Sequence, residues 1–398
     1  MAGPLEGIRV LSFCTALSGP FCTMVLGDMG AEIIKIESID EGDLTRASSH
    51  QINGVGSYFL SVNRGKKSIT LDLKSERGRK IVFDLVKTVD VLTENFRPGV
   101  MDRLGLDYET VRKINSRLIY TSISGFGQTG PYAHKPAFDM IAQGMGGVMS
   151  ITGPEQPGSP PCRVGYSIGD MGASLFAANG ILGALLERQK SGEGQRLDVA
   201  MLDCQVALCE NAIARYLGTG EISRPLGSRH PLSTPFQAYE TKTKPIIVIA
   251  NTEKLWASFC KAAGKEEWLT DERYNTKYVR LGNYKDFNPM MTELMRTKTY
   301  EEWVELFEKC EVMYAPINTI EEVVEDPQVL SREMIVELDH PQAGRHRIAG
   351  TPLKFSRTPC RIDKAAPELG AHTKEILSER LCMTEEEINK LKEEKIIG

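Results

Sequence analysis

Metal-ligand spacings are missing from this chain. Its six histidines, His50, His134, His230, His340, His346 and His372, never fall in an H-x-x-x-H or H-E-x-x-H pattern, which removes the usual signature of a catalytic metal. No two of the nine cysteines, Cys14, Cys22, Cys162, Cys204, Cys209, Cys260, Cys310, Cys360 and Cys382, form a C-x-x-C pair, so neither a zinc site nor a disulfide framework is expected. The longest apolar stretch, around residues 175–186, contains Asn179 and two glycines and falls short of the ~20 residues that span a bilayer, so no membrane insertion is expected. Charge of one sign is not in excess either: 48 basic against 53 acidic side chains give a net charge of -5, which argues against a dominant nucleic-acid or membrane partner. The N-terminus runs into a strand without a charged leader or an apolar signal core, and the expected compartment is the cytoplasm.

The 398 residues exceed what one hydrophobic core comfortably holds, so two domains are expected. Residues 8–13 read as a strand, Ser18-Gly19-Pro20 opens a helix, and residues 32–37 return as strand. The same grammar recurs with a strand at 68–73, a helix capped by Ser75, and a strand at 90–94; another strand follows at 118–124. Such alternation implies a parallel sheet covered on both faces. Met171, Leu175, Ala178, Leu182 and Leu185 recur at helical spacing and predict a helix over 171–188 that packs on the sheet. A strand at 195–200 precedes a helix capped by Asp203 and running through Arg215.

The domain bounds follow from composition. Residues 1–215 read as the first part of a large domain, and 216–235, rich in Gly, Ser, Arg and Pro, as a linker. Residues 236–330 form a small domain in which Thr299 and Glu302 predict a capping box. Residues 331–359 read as a return linker with a strand pair after Pro341, and 360–398 as helices rejoining the large domain. The fold class is α/β: a Rossmann-like large domain with a parallel sheet, discontinuous in sequence, plus a smaller α+β domain.

Three features carry chemistry. Gly125-Phe-Gly127-Gln-Thr-Gly130 has the dinucleotide spacing after a strand, but Pro131 and Pro136 prevent a helix from opening behind it, so the phosphate cradle of a nicotinamide site is missing. Basic residues gather in Asn63-Arg64-Gly65-Lys66-Lys67, at Lys74, and in Asn95-Phe96-Arg97 with Arg103; they form either a solvated face or an anion site at the carboxyl ends of the strands. Asp170 stands just before the 171–188 helix, where capping is the ordinary role, and where the helix dipole also permits a charged carboxylate to be held.

Several of these stretches resemble the family III CoA-transferases, which include formyl-CoA and carnitine-type enzymes and are related to the α-methylacyl-CoA racemases. The matching text includes Gly30-Ala-Glu-Ile-Ile-Lys-Ile-Glu37, Asn63-Arg-Gly-Lys-Lys-Ser-Ile-Thr-Leu-Asp-Leu-Lys74, Glu94-Asn-Phe-Arg-Pro-Gly99, Gly169-Asp170 and Leu369-Gly-Ala-His-Thr373, in the family's order from residue 4 to 373. The resemblance implies that Asp170 is a covalent nucleophile passing through aspartyl anhydride and aspartyl-CoA thioester intermediates. It implies CoA contacts at Ala16, Leu17, Leu71, Asp72, Leu73, Lys74, Asn95, Phe96, Arg97, Arg103, Ala137, Phe138 and Asp139. Substrates are then an acyl-CoA donor and a carboxylate acceptor, with no cofactor beyond the CoA thioester and no metal. The resemblance also implies an interlocked homodimer, with a related second subunit as the alternative partner.

This chain departs from the family at several positions. Leu17 and Ser38 replace a glutamine and an arginine of the formyl-CoA enzymes, and Gly227-Ser-Arg-His-Pro-Leu-Ser233 replaces their glycine run, which points away from oxalate or formate. The racemases carry a histidine where this chain has Phe138, and phenylalanine cannot exchange a proton, which disfavours that alternative.

Overall fold

The computed structural model describes residues 2–48, 50–156 and 158–398. The chain divides into two compact units, one formed by residues up to 149 with 163–222 and 327–398, the other by 150–162 and 223–326.

The larger unit is built on six parallel strands, β1 (Arg9–Ser12), β2 (Glu32–Glu37), β3 (Lys67–Thr70), β4 (Val91–Glu94), β5 (Ile119–Ser124) and β6 (Arg196–Ala200). Their spatial order is β3-β2-β1-β4-β5-β6, the doubly wound arrangement whose direction reverses between β1 and β4. Side chains alternate across the pleat, and both faces are apolar. Leu11, Ile34, Ile69, Leu92 and Tyr120 enter one core with α2 (Glu76–Val86), α10 (Thr373–Leu381) and α11 (Glu385–Glu393). Their neighbours Val10, Ile33, Val91 and Ile119 enter the other, with α1 (Ser18–Asp28) and α4 (Ile168–Ser191). A short helix, α3 (Asp139–Met145), leads into the segment before α4.

Local capping explains where the observed elements differ from expectation. Helix α4 starts at Ile168 because Asp139 Oδ1 accepts from the Gly169 N–H at 2.8 Å, satisfying from α3 a donor that no nearby side chain reaches. Asp170 is therefore the third residue of the helix and not its cap. The buried stripe of α4 runs through Ala173, Ala177, Ile181 and Leu185, while Leu175 is exposed. At 24 residues α4 is, among the described residues, the one helix long and apolar enough to cross a membrane, although its buried stripe is part of the sheet core. The helix expected from Asp203 starts earlier and breaks in two, α5 (Met201–Leu208) and α6 (Glu210–Thr219), with Leu202 N donating to Gly125 O at the first turn.

The smaller unit carries an antiparallel sheet, β7 (Phe236–Tyr239), β8 (Ile246–Ile249) and β9 (Met313–Pro316), in the order β9-β8-β7. Its core of Trp256, Phe259, Met291, Trp303 and Phe307 is supplied by α7 (Glu253–Ala263), α8 (Tyr284–Met295) and α9 (Tyr300–Cys310). The Thr299–Glu302 capping box is present. Residues 331–359 are not a linker: β10 (Ile335–His340) and β11 (Gly344–Ala349) pair as a hairpin within the larger unit, with Pro341 in the turn between them. His340 Nδ1 accepts from Gln342 N and Ala343 N and closes that turn. Residues 150–162 join the smaller unit instead of the large one.

Candidate active site

At the sheet's reversal point, the turn after β1 meets the turn after β4. Asn95 clasps Thr15 on both sides, its Oδ1 accepting from Thr15 N at 2.9 Å and its Nδ2 donating to Thr15 O at 2.8 Å. The same Nδ2 donates to Ser18 Oγ at 3.2 Å. Ala16 is held in the left-handed region at φ 63°, a conformation that costs a non-glycine residue about 1–2 kcal/mol and must be imposed by its surroundings. Asp43 imposes it in part, its Oδ1 accepting from Ala16 N at 3.3 Å. Lys35 Nζ donates to Cys14 O at 2.6 Å and to Asp43 Oδ2 at 2.7 Å, and that ion pair is fully buried.

Asp170 projects from the first turn of α4 beside this turn. The Ser174 hydroxyl lies 2.6 Å from the Ser18 carbonyl and fixes α1 against α4. Burial, and then the like charge of Asp139, push the Asp170 carboxyl from 3.8 up to about 6, with a Ser18 hydroxyl contact offsetting part of the rise. The helix dipole alone suggested a strongly ionised group; desolvation outweighs it. Asp139 is anchored by Gly169 N on one oxygen and by Gln143 Nε2, at 2.7 Å, on the other. Tyr58, on the short helix Ser57–Val62, also faces this acidic group: burial and the charges of Asp170, Asp139 and Asp43 push its phenol up to about 12.

A cleft of about 840 Å³ opens at the carboxyl ends of β1 to β4, within the ~300–1,000 Å³ typical of ligand pockets. Leu71, Asp72, Leu73, Lys74 and Phe96 line it, as does Thr15, whose clasp by Asn95 joins the cleft to Ser18 and Asp170. Of the residues singled out in the sequence, Ala16, Leu17, Asn95, Asp139 and Asp170 thus gather at the reversal point. Ala137 packs against Gly125, where a Cβ would meet it at 2.2 Å, so this glycine serves close packing and not a phosphate. Phe138 is 76% exposed next to Asp139.

Other basic residues sit elsewhere. Arg97 lines a separate polar pocket of about 90 Å³ with Glu94, Asp102 and Arg196, in which burial pushes the Glu94 carboxyl up to about 7. Arg103 lies exposed on the short helix Val100–Arg103, outside the lining of the cleft. The cluster at 63–67 is structural: Arg64 pairs with Asp28 at 2.6 Å, buried Lys66 donates to Pro20 O and Asn63 Oδ1, and Lys67 bridges Glu32 and Glu375. An anion role for Arg64 and Lys66 is thereby corrected. Gly165-Tyr-Ser167-Ile-Gly169 has hydrolase-elbow spacing, but no strand precedes it, and Ser167 is the N-cap residue of α4. Tyr58 and the Lys35–Asp43 pair carried no sequence signal, since only tertiary folding brings them to the turn.

A doubly wound sheet with a desolvated carboxylate at its reversal point and a ligand cleft beside it fits an acyl-group or CoA-handling enzyme. The description "CoA-transferase family III" matches residues 5–373, and the chain belongs to that family. Its reaction class is CoA transfer between an acyl-CoA and a carboxylic acid. Succinyl-CoA:glutarate CoA-transferase of Mus musculus is 38% identical, over 98% of this chain and 89% of the relative. Acetyl-CoA:oxalate CoA-transferase of Acetobacter aceti is 39% identical over 89% of this chain and 90% of the relative. A CAIB/BAIF family protein from Brucella suis has a solved structure that covers 96% of this chain and all of its own, with 34% identity and a TM-score of 0.85.

Proposed function

We propose that the chain transfers CoA from a dicarboxylic acyl-CoA such as succinyl-CoA to a second short dicarboxylic acid, with Asp170 as covalent nucleophile. The observation that carries this reading is the half-buried Asp170 carboxylate at the N-terminal turn of α4, joined through Ser18 and Asn95 to the wall of the cleft. The substrate class is supported by relatives named for succinyl-CoA with glutarate, mesaconate and D-citramalate, 36–38% identical to this chain.

In the first step an Asp170 oxygen attacks the donor thioester carbonyl, and the C–S bond breaks to give a mixed anhydride and CoA thiolate. The thiolate then attacks the aspartyl carbonyl, releasing the donor acid and leaving an aspartyl-CoA thioester. The acceptor carboxylate attacks that thioester, giving a new anhydride and the thiolate, which attacks the acceptor's acyl carbon to form product and free Asp170. No net proton is consumed. Each intermediate is an activated acyl group, so no step is steeply uphill. A carboxyl at about 6 remains mostly ionised at pH 7 while being poorly solvated, which suits the attack. The Asn95 clasp and the Lys35–Asp43 pair keep the facing turn rigid.

The reading includes a homodimer. Phe138, Met140, Met145, Leu175, Phe176 and Leu217 are all exposed on the larger unit, and α6 has no buried residue despite one apolar face. A second copy covering this surface accounts for it. The test of substrate class is a panel of succinyl-CoA and acetyl-CoA against mono- and dicarboxylic acids, followed by the mass of new acyl-CoA species. Transfer from succinyl-CoA to dicarboxylates supports the proposal, and transfer confined to monocarboxylates overturns it.

A further inference from the structure

One wall of the cleft comes from the far end of the chain. After α11 the backbone turns at Lys395, in the left-handed region at φ 56°, and Ile396 and Ile397 insert into the core beside Leu71. Ile396 O accepts from Asp72 N at 3.0 Å, and Gly398 N donates to Thr70 Oγ1 at 3.0 Å, so this segment is stitched to the end of β3. Lys392 and Lys395 are thereby carried onto the cleft lining that also holds Leu71 to Lys74.

The charges around the cleft do not cancel these lysines. Glu37 is taken up by Arg46, and Asp43 by Lys35. Glu394, next in sequence to Lys395, pairs with Arg77. Asp72 accepts from the Lys74 backbone N–H. Among the described residues that leaves Lys74, Lys392 and Lys395 as the exposed cations of this lining, beside Asp40 and Asp72, at the mouth of a site already near the reversal point.

We propose that Lys392 and Lys395 bind the phosphate groups of CoA, together with Lys74. The inference rests on the CoA-transferase reading above, and it adds a binding element on α11 and the turn behind it. Lysine suits the task because a compact ammonium on a flexible stem meets a phosphate as a point charge without demanding one geometry. The phosphates of CoA are separated from its thioester by the pantetheine arm, so side chains that hold them act on binding of the CoA substrates and not on the covalent steps.

The experiment compares wild type with Lys392→Gln/Lys395→Asn, where asparagine tolerates the left-handed backbone at 395, and with Lys392→Arg/Lys395→Arg, which keeps both charges. In steady-state transfer from succinyl-CoA, the neutral variant is expected to raise the donor KM roughly tenfold or more, with kcat and the acceptor KM changed by less than about twofold. The arginine variant is expected to stay near wild type, and added salt is expected to narrow the gap. With 3′-dephospho-succinyl-CoA the gap shrinks if the ribose phosphate is the group held and persists if the diphosphate is, and either result supports the assignment. Equal donor KM in wild type and the neutral variant overturns it, as does an arginine variant as impaired as the neutral one, since the effect is then one of packing. Wild-type protein that neither binds CoA nor transfers it overturns the CoA-transferase reading itself, which distinguishes the two failures.

Discussion

A carboxyl that titrates at about 6 when folded and at 3.8 when unfolded makes folding less favourable wherever it is ionised. Its stabilising contribution is complete below pH 3.8 and is lost as pH rises through about 6. The difference amounts to about 3 kcal/mol at most. Asp170→Asn is therefore expected to raise the thermal midpoint at pH 8 while abolishing transfer, and the gain is expected to shrink toward pH 4; unfolding scans at both pH values check it. A loss of stability at pH 8 would show that Asp170 is a structural group. Asp139 supplies part of the raised value, so Asp139→Asn is expected to move the acid limb of kcat/KM below that of wild type, near pH 6. Asparagine still accepts from Gly169 N, which preserves the helix start. An unmoved limb would mean that Asp139 does not act on the Asp170 carboxyl.

The turn between β1 and α1 is the element on which the site depends. Lys35 and Asp43 are both buried, so Asp43→Ala leaves an unpaired charge and is expected to cost about 3–5 kcal/mol of stability, read by denaturant unfolding. Asn95→Ala removes the clasp on Thr15 and is expected to raise the donor KM severalfold with a smaller loss of stability, about 1–3 kcal/mol. Strands β1, β2, β4, β5 and β6 were legible to within one residue at each end, because their apolar runs need no partner to be recognised, whereas β3 ends at Thr70, three residues before the expected end. The start of α4 was not legible, since its first-turn acceptor is Asp139, thirty residues away in sequence and unrelated by any periodicity. The β10–β11 hairpin was displaced in the sequence reading for a related reason: Pro341 signals a turn, and a turn between strands looks locally like the beginning of a linker. The basic cluster at 63–67 illustrates the same limit, because composition cannot distinguish an arginine paired with Asp28 from one awaiting a phosphate.

At the scale of the whole molecule, the chain forms two compact units and passes between them at residues 149–150, 162–163, 222–223 and 326–327, and only the last two crossings carry a compositional signal. The exposed apolar residues of α3, α4 and α6 predict a homodimer. Sedimentation is expected to give a dimer that persists on dilution, and a folded monomer at low concentration would refute it. The central claim, that CoA passes through Asp170, is tested most directly by peptide mass. Wild-type protein is incubated with succinyl-CoA, quenched in acid and digested. The account predicts that the peptide containing Asp170 carries the added mass of CoA less one water, that hydroxylamine converts it to the hydroxamate, and that Asp170→Asn shows neither the adduct nor transfer. An unmodified Asp170 peptide during turnover, together with full transfer by Asp170→Asn free of deamidated protein, would contradict the account.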